Sequence, residues 1–196
     1  MFFRKSPTGV EWLVVGLGNP GKQYENTRHN AGAMALAALA ESSGASVIRA
    51  RFHALCGDAD IDGHRVLLML PQTYMNNSGE AVSEAARFYK IPPERILVFS
   101  DDISLPVGKV RVRRKGSDGG QKGLRSISNY LGDDFPRVKL GVGAKPRPDY
   151  DLAAWVLSNF TTEERPLMTD AAKNAAEAAK LIVAGRIDDA MNRFSR

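Results

Sequence analysis

His29 is the residue of this sequence best placed to move a proton. It sits in the polar run Tyr24-Glu-Asn-Thr-Arg-His-Asn30, after an apolar strand-like segment and before an alanine-rich one. Imidazole titrates near neutral pH, so a histidine in a strand-end loop can act as a general base. His53 and His64 lie in or beside strand-like segments with no polar cluster near them, and read as surface or edge residues. Asp101 follows the apolar run Ile96–Ser100, where a carboxylate is costly unless it has a partner. Paired with His29, it would fix the tautomer and stabilise the imidazolium. Asp102 is expected to point the other way. Asn19, Asn30 and Asn76 also fall in strand-end loops. A carboxamide can hold a water with its oxygen and polarise a carbonyl with its amino group, without adding charge. Taken singly, each residue has an ordinary reading as a helix cap or a loop residue. Their company points to chemistry.

Other chemistries find no support. There is no G-x-S-x-G elbow, and the one cysteine, Cys56, lies in a strand-like run without adjacent activating charge. No His/Cys/Asp group has metal-ligand spacing, so neither a metal nor a cofactor is expected. Gly16-Leu-Gly-Asn-Pro-Gly21 matches a dinucleotide-binding G-x-G-x-x-G and follows a strand. Pro20 removes a backbone donor from that loop, and a polar stretch, KQYENTRHN, separates it from the next helix. The strand that should end in an acid for the ribose reads VIRARF instead. The match is therefore rejected. What remains is hydrolysis by water, with a His base, an Asp partner and amide donors. The residues alone do not name the bond.

The elements that must position these groups can be read from hydrophobic runs and breakers. Strands are expected at Trp12–Gly16, Val47–Leu55, Val66–Leu70, Ile96–Ser100, Lys109–Arg114 and Val138–Val142. Helices are expected from Asn30 to Ser43, from a Ser78 cap to Tyr89, and over Leu124–Leu131. The tail reads as helical at Tyr150–Asn159, Thr162–Ala184 and from Ile187. Strand and helix alternate, which predicts a single-domain, three-layer α/β sandwich with a mixed, mostly parallel sheet. Residues 1–10 read as a flexible extension. In such sheets ligands bind beyond the carboxyl ends of the strands. The loops after Gly16, Leu70 and Ser100 should converge there.

Composition sets the remaining bounds. At 196 residues, 43% hydrophobic and 25% charged, the chain has globular proportions. No apolar run suits a signal peptide or a membrane span, and a lone cysteine suits a reducing compartment. A soluble cytoplasmic protein is expected. The formal charge is +5, and it is unevenly spread. Between Lys109 and Arg147 there are eleven Lys or Arg against three Asp. That window suggests a polyanionic partner rather than a merely solvated strand.

Several long motifs in order resemble bacterial peptidyl-tRNA hydrolase. They are VGLGNPGKQYENTRHNAG at 15–32, PQTYMNNSG at 71–79, ILVFSDDISLPVGKVRVRRKGSDGGQKGL at 96–124 and KLGVGAKP at 139–146. The resemblance covers nearly the whole chain from Trp12. It implies a metal-free, usually monomeric esterase that cuts a peptide from the 3′-terminal ribose of tRNA. It makes His29 the base and Asp101 its partner. Asn19 and Asn76 match substrate- and water-positioning amides, and Asn30 belongs to the same motif. Tyr24 and Met75 match site-lining residues, and Arg111 and Lys139 match a clamp for the tRNA 5′ phosphate. Both clamp positions fall inside the basic window.

The chain departs from the family at Gly119-Gly-Gln-Lys-Gly123, where Gly-Gly-His-Asn-Gly is common. Lys122 replaces an amide that in relatives contacts the peptide and the 3′ end. Lysine cannot accept a hydrogen bond but can meet a phosphate as a point charge, so Lys122 is expected to favour the tRNA backbone. Ser104 replaces a position that is often acidic. Two rival readings are a non-catalytic RNA-binding protein with the same fold and a general carboxylesterase. The set Asn19, His29, Asn76 and Asp101 argues against the first, and the basic window against the second.

Overall fold

The computed structural model describes residues 9–195. The centre of its sheet is set by burial. Trp12–Gly16 (β1) is buried at every position, so it needs covering on both faces. At one edge, Arg49–Arg51 (β2) and Ala54–Ile61 (β3) form an antiparallel meander that leads into His64–Pro71 (β4). Ile96–Asp102 (β5) pairs in parallel with β1, which also pairs in parallel with β4. Val110–Arg113 (β6) forms the other edge, antiparallel to Arg137–Gly141 (β7), which runs parallel to β5. The seven strands lie in the order β2-β3-β4-β1-β5-β7-β6.

Alternation along the strands supplies two apolar faces. Val14, Leu68 and Phe99 face one helical layer, built from Ala31–Ser42 (α1) and residues of the tail. Leu13, Val15, Leu67 and Val98 face the other, built from Ser78–Tyr89 (α2) and Lys122–Leu131 (α3). The tail holds Leu152–Val156 (α4), Glu164–Val183 (α5) and Ile187–Phe194 (α6). This is the expected three-layer α/β sandwich with a mixed sheet, parallel in the middle and antiparallel at both edges. Among the described residues, no helix is long and apolar enough to cross a membrane.

One close approach draws α1 onto the sheet. A Cβ on Gly32 would lie 2.4 Å from the Phe99 carbonyl oxygen and 2.7 Å from that of Leu17. Glycine there lets the start of α1 press onto the ends of β1 and β5, and the Ala33 N–H reaches the Leu17 carbonyl at 3.0 Å. His29 and Asp101 are carried toward each other by that contact.

Several boundaries differ from expectation. The strand expected at Val47–Leu55 is broken at Phe52 and His53, both at positive φ, which turns β2 back onto β3. β3 then extends past Leu55 through residues that no expected strand covered, and a second turn at Asp62 and Gly63 leads into β4. Ser78 does not cap α2. It is the first helical residue, its hydroxyl donates to the Met75 carbonyl, and Asn77 occupies the cap position without a side-chain bond. α3 starts earlier than expected, at Lys122, because Gln121 caps it. The helix expected at Tyr150–Asn159 is confined to α4, capped by Asp151. The expected extension over 1–10 lies mostly outside the described residues, and Val10 is already buried.

Candidate active site

The carboxyl ends of β1, β4 and β5 open into one cleft of about 470 Å³. Asn19, His29, Met75, Asn76 and Asp101 all line it, so the three strand-end loops do converge. His29 is the centre. Its Nδ1 lies 2.9 Å from Asp101 Oδ2, and the two side chains are 12% and 3% exposed. A carboxylate can only accept, so Nδ1 carries the proton, and in the neutral ring the lone pair is on Nε2. Asp101 turns its other oxygen, Oδ1, to the Gln121 Nε2 at 3.0 Å. Asp102 makes no bond to His29. It faces Lys139 Nζ at 3.5 Å and accepts from the Ser104 N–H and hydroxyl.

Asn19 is held so that its chemistry is unambiguous. Its Oδ1 accepts from the Met75 N–H at 2.9 Å. That bond fixes the sense of the amide and leaves the amino group as the donor Asn19 can offer the cleft. Asn30 lies behind this wall rather than in it. It is buried, with Oδ1 accepting from the Asn19 N–H at 2.9 Å and Nδ2 donating to the Asn19 carbonyl at 3.0 Å. Both ends of its carboxamide are spent on the Asn19 backbone, so it braces Asn19. Tyr24, read as site-lining by resemblance, is half-buried in the short turn Lys22–Tyr24 and is not part of the cleft wall. The residues between Gly21 and α1 form two 3-10 turns rather than a helix, as rejection of the dinucleotide motif requires.

The loop bearing His29 is pinned by its neighbour. Arg28 is 2% exposed and forms a two-pronged pair with Glu164, at 2.8 and 3.2 Å. It also donates to the Val142 carbonyl at 3.0 Å and the Ser158 hydroxyl at 3.1 Å, and lies 3.8 Å over the Trp155 ring. Burial pushes the Glu164 carboxyl up, but hydrogen bonds from Arg28 and the Thr161 N–H outweigh it and hold it below the ordinary value.

The glycine loop forms the facing wall. Gly119 and Gly120 both have positive φ, and the Gly120 N–H donates to Asp118. Fully buried Arg137 supports the loop from beneath by donating to the Ser117 carbonyl at 3.0 Å. Lys122 is exposed at the first turn of α3 and lines the cleft, as does Lys139. Arg111 stands outside the cleft, directly opposite Lys139 in the β6–β7 register. Leu152 and Leu157, at and beyond the ends of α4, add an apolar wall that the sequence did not reveal.

Two other features lack the chemistry for this role. A larger groove of about 840 Å³ lies between α1 and α5, lined by groups such as Met34, Ala38 and Met168 with no histidine. Cys56 is buried in β3, and burial pushes its thiol up to about 11. Only the thiolate attacks, so alkylation of the native protein by iodoacetamide at pH 8 should be far slower than in denaturant. Equal rates in the two states would contradict the structure.

The family model for peptidyl-tRNA hydrolase matches residues 13–196. The chain belongs to the peptidyl-tRNA hydrolase family. A peptidyl-tRNA hydrolase of Caldanaerobacter subterraneus subsp. tengcongensis is 48% identical over 185 residues, covering 94% of this chain and 99% of the relative. One of Agathobacter rectalis is 47% identical over 186 residues, covering 94% of this chain and all of the relative. The crystal structure of peptidyl-tRNA hydrolase from Acinetobacter baumannii superposes with a TM-score of 0.89 at 38% identity, over 94% of each chain.

Proposed function

We propose that this protein hydrolyses the ester between a peptide's C-terminal carbonyl and the 3′-terminal ribose of tRNA, freeing tRNA from stranded peptides. The observation that carries this reading is the His29–Asp101 pair at 2.9 Å, in a cleft shared with the Asn19 amide. His29 Nε2 takes a proton from a water as the water oxygen attacks the ester carbonyl. The Asn19 amino group donates to the carbonyl oxygen as it becomes an oxyanion. The intermediate collapses, the carbonyl–ribose bond breaks, and the imidazolium returns its proton to the departing ribose oxygen. Asn76, exposed at the cleft rim, helps to place the water. Met75, buried beneath it, supports the wall. Every step is assigned to a side chain or to water, and the protein acts as a cytoplasmic monomer. The non-catalytic alternative is disfavoured, since the relatives carry the hydrolase name.

Recognition of tRNA is assigned to Lys139, Arg111 and Lys122. These contacts position the phosphate backbone without reading bases. Lys122 stands at the N-terminus of α3, where the helix dipole disfavours a cation, so an incoming phosphate would relieve it. Arg111→Ala and Lys122→Asn should each weaken tRNA binding and reduce the slope of log affinity against log salt by about one. Unchanged slopes would remove those residues from the interface.

The test is direct. Purified protein is incubated with an N-acetyl-aminoacyl-tRNA, and release of the N-acetyl amino acid is followed with and without a chelator. Cleavage that survives the chelator supports the reading. Retained salt-sensitive tRNA binding without cleavage would leave an RNA-binding protein.

A further inference from the structure

Gln121 stands between the glycine loop and α3, and its side chain reaches three partners. Its Oε1 accepts from the Leu124 N–H at 2.7 Å, which caps α3. Only the oxygen of a carboxamide can accept, so this bond fixes the sense of the amide. Nε2 must then face the other way as a donor. It donates to Asp101 Oδ1 at 3.0 Å and lies 3.2 Å from Met75 Sδ. Asp101 is thus gripped on both oxygens, by an imidazole and by an amide.

We propose that Gln121 is a positioning residue for the hydrolytic reaction, setting the plane of the Asp101 carboxylate so that Oδ2 meets His29. The proposal rests on His29 being the base. A carboxylate turns easily about its last bond. With one oxygen tied to His29 alone, that rotation would carry the imidazole with it. The Gln121 bond removes the freedom. It does so with a neutral group, so the hold on Asp101 does not itself titrate. Length matters as well. Asparagine also caps helices well, but its side chain is one methylene too short to cap α3 and reach Asp101 together.

The other charges around the pair are engaged elsewhere or stand apart. Asp102 faces Lys139, Asp118 faces Arg125, and Arg28 faces Glu164. Lys122 lines the cleft without a bond to Asp101. Among the described residues, Gln121 is the donor to Asp101 Oδ1. Without it, Asp101 would direct more of its charge at His29 and hold the protonated imidazole more tightly. Catalysis needs the neutral form, so the acid limb of the pH–kcat profile would move to higher pH.

The experiment uses the full chain with Gln121→Asn, Gln121→Ala and His29→Ala, assayed on N-acetyl-aminoacyl-tRNA across pH, with thermal melts. Gln121→Asn should keep a melting temperature close to wild type, because the cap survives. Its kcat should fall roughly tenfold to a hundredfold, the size expected for losing a hydrogen bond to a charged group. KM should stay within about twofold, since both ends of the Gln121 amide are spent on protein groups and neither is left to bind substrate. The acid limb should move upward. Gln121→Ala should repeat the catalytic change and also lower the melting temperature. Wild-type kcat in Gln121→Asn, or a lower kcat with an unmoved acid limb, would overturn the proposal. An inactive His29→Ala alongside that result would leave the base assignment standing, whereas an active His29→Ala would overturn both.

Discussion

A His29→Ala variant should lose about 10²–10⁴-fold in kcat, the usual contribution of a positioned general base. The loss should fall on turnover rather than binding. Arg111 and Lys139 sit on β6 and β7, and the hydrogen bond of the ring is to Asp101, so the affinity for tRNA should be nearly unchanged. The side chain is 12% exposed at the cleft wall, so truncation opens space that water can fill rather than a dry hole in the core. The fold should therefore survive. Single-turnover cleavage of N-acetyl-aminoacyl-tRNA, with filter binding of the same tRNA, separates the two effects. A variant that keeps more than about a tenth of wild-type turnover would remove His29 from the role of base.

Asp101→Asn should be at least as damaging, although it is nearly isosteric. The carboxylate now accepts from two donors, His29 Nδ1–H and Gln121 Nε2–H. An amide has one accepting oxygen. If that oxygen stays with Gln121, the amino group faces His29 and the imidazole must present a lone pair at Nδ1. The proton then resides on Nε2, and the base is blocked. If the oxygen turns to His29, two amino groups collide and Gln121 must let go of either Asp101's position or the α3 cap. The corresponding exchange in a serine-protease triad costs about 10⁴ in kcat through the wrong tautomer. The same order is expected here, with a melting temperature near wild type. Near-normal turnover would mean that Asp101 does not govern the His29 tautomer.

What could be read from the sequence was what rests on long hydrophobic runs. β1 and β5 follow from WLVVG and ILVFS, and the loops leaving them carry Asn19 and Asp101 into one cleft. The β2–β3 turn was hidden because Phe52 and His53 adopt positive φ, a conformation normally announced by Gly or Asn. The next turn did carry a signal, Asp62-Gly63, between alternating apolar residues, and it would have revealed β3. Asn30 and Gln121 show a different limit. Both are polar residues in loops, but one turns inward to brace Asn19 and the other reaches back to Asp101. Sequence spacing gives no direction to a side chain. Tyr24 shows the converse, since motif membership placed it at the cleft, whereas it lies in the turn Lys22–Tyr24 and does not line the cleft wall.

The grip on Arg28 also sets the order in which the protein comes alive. The loop beside the base is held by Val142, Ser158 and Glu164, partners 114 to 136 residues further along the chain. A chain leaving the ribosome from its N-terminus presents His29 early but lacks those partners until most of its length has been made. The buried guanidinium would meanwhile be an unpaired charge, which water must keep solvated and the loop cannot bury. The catalytic loop is therefore the last part of the site to set, and a nascent or truncated chain ending before Glu164 would carry every cleft residue while lacking the carboxylate that pairs with Arg28.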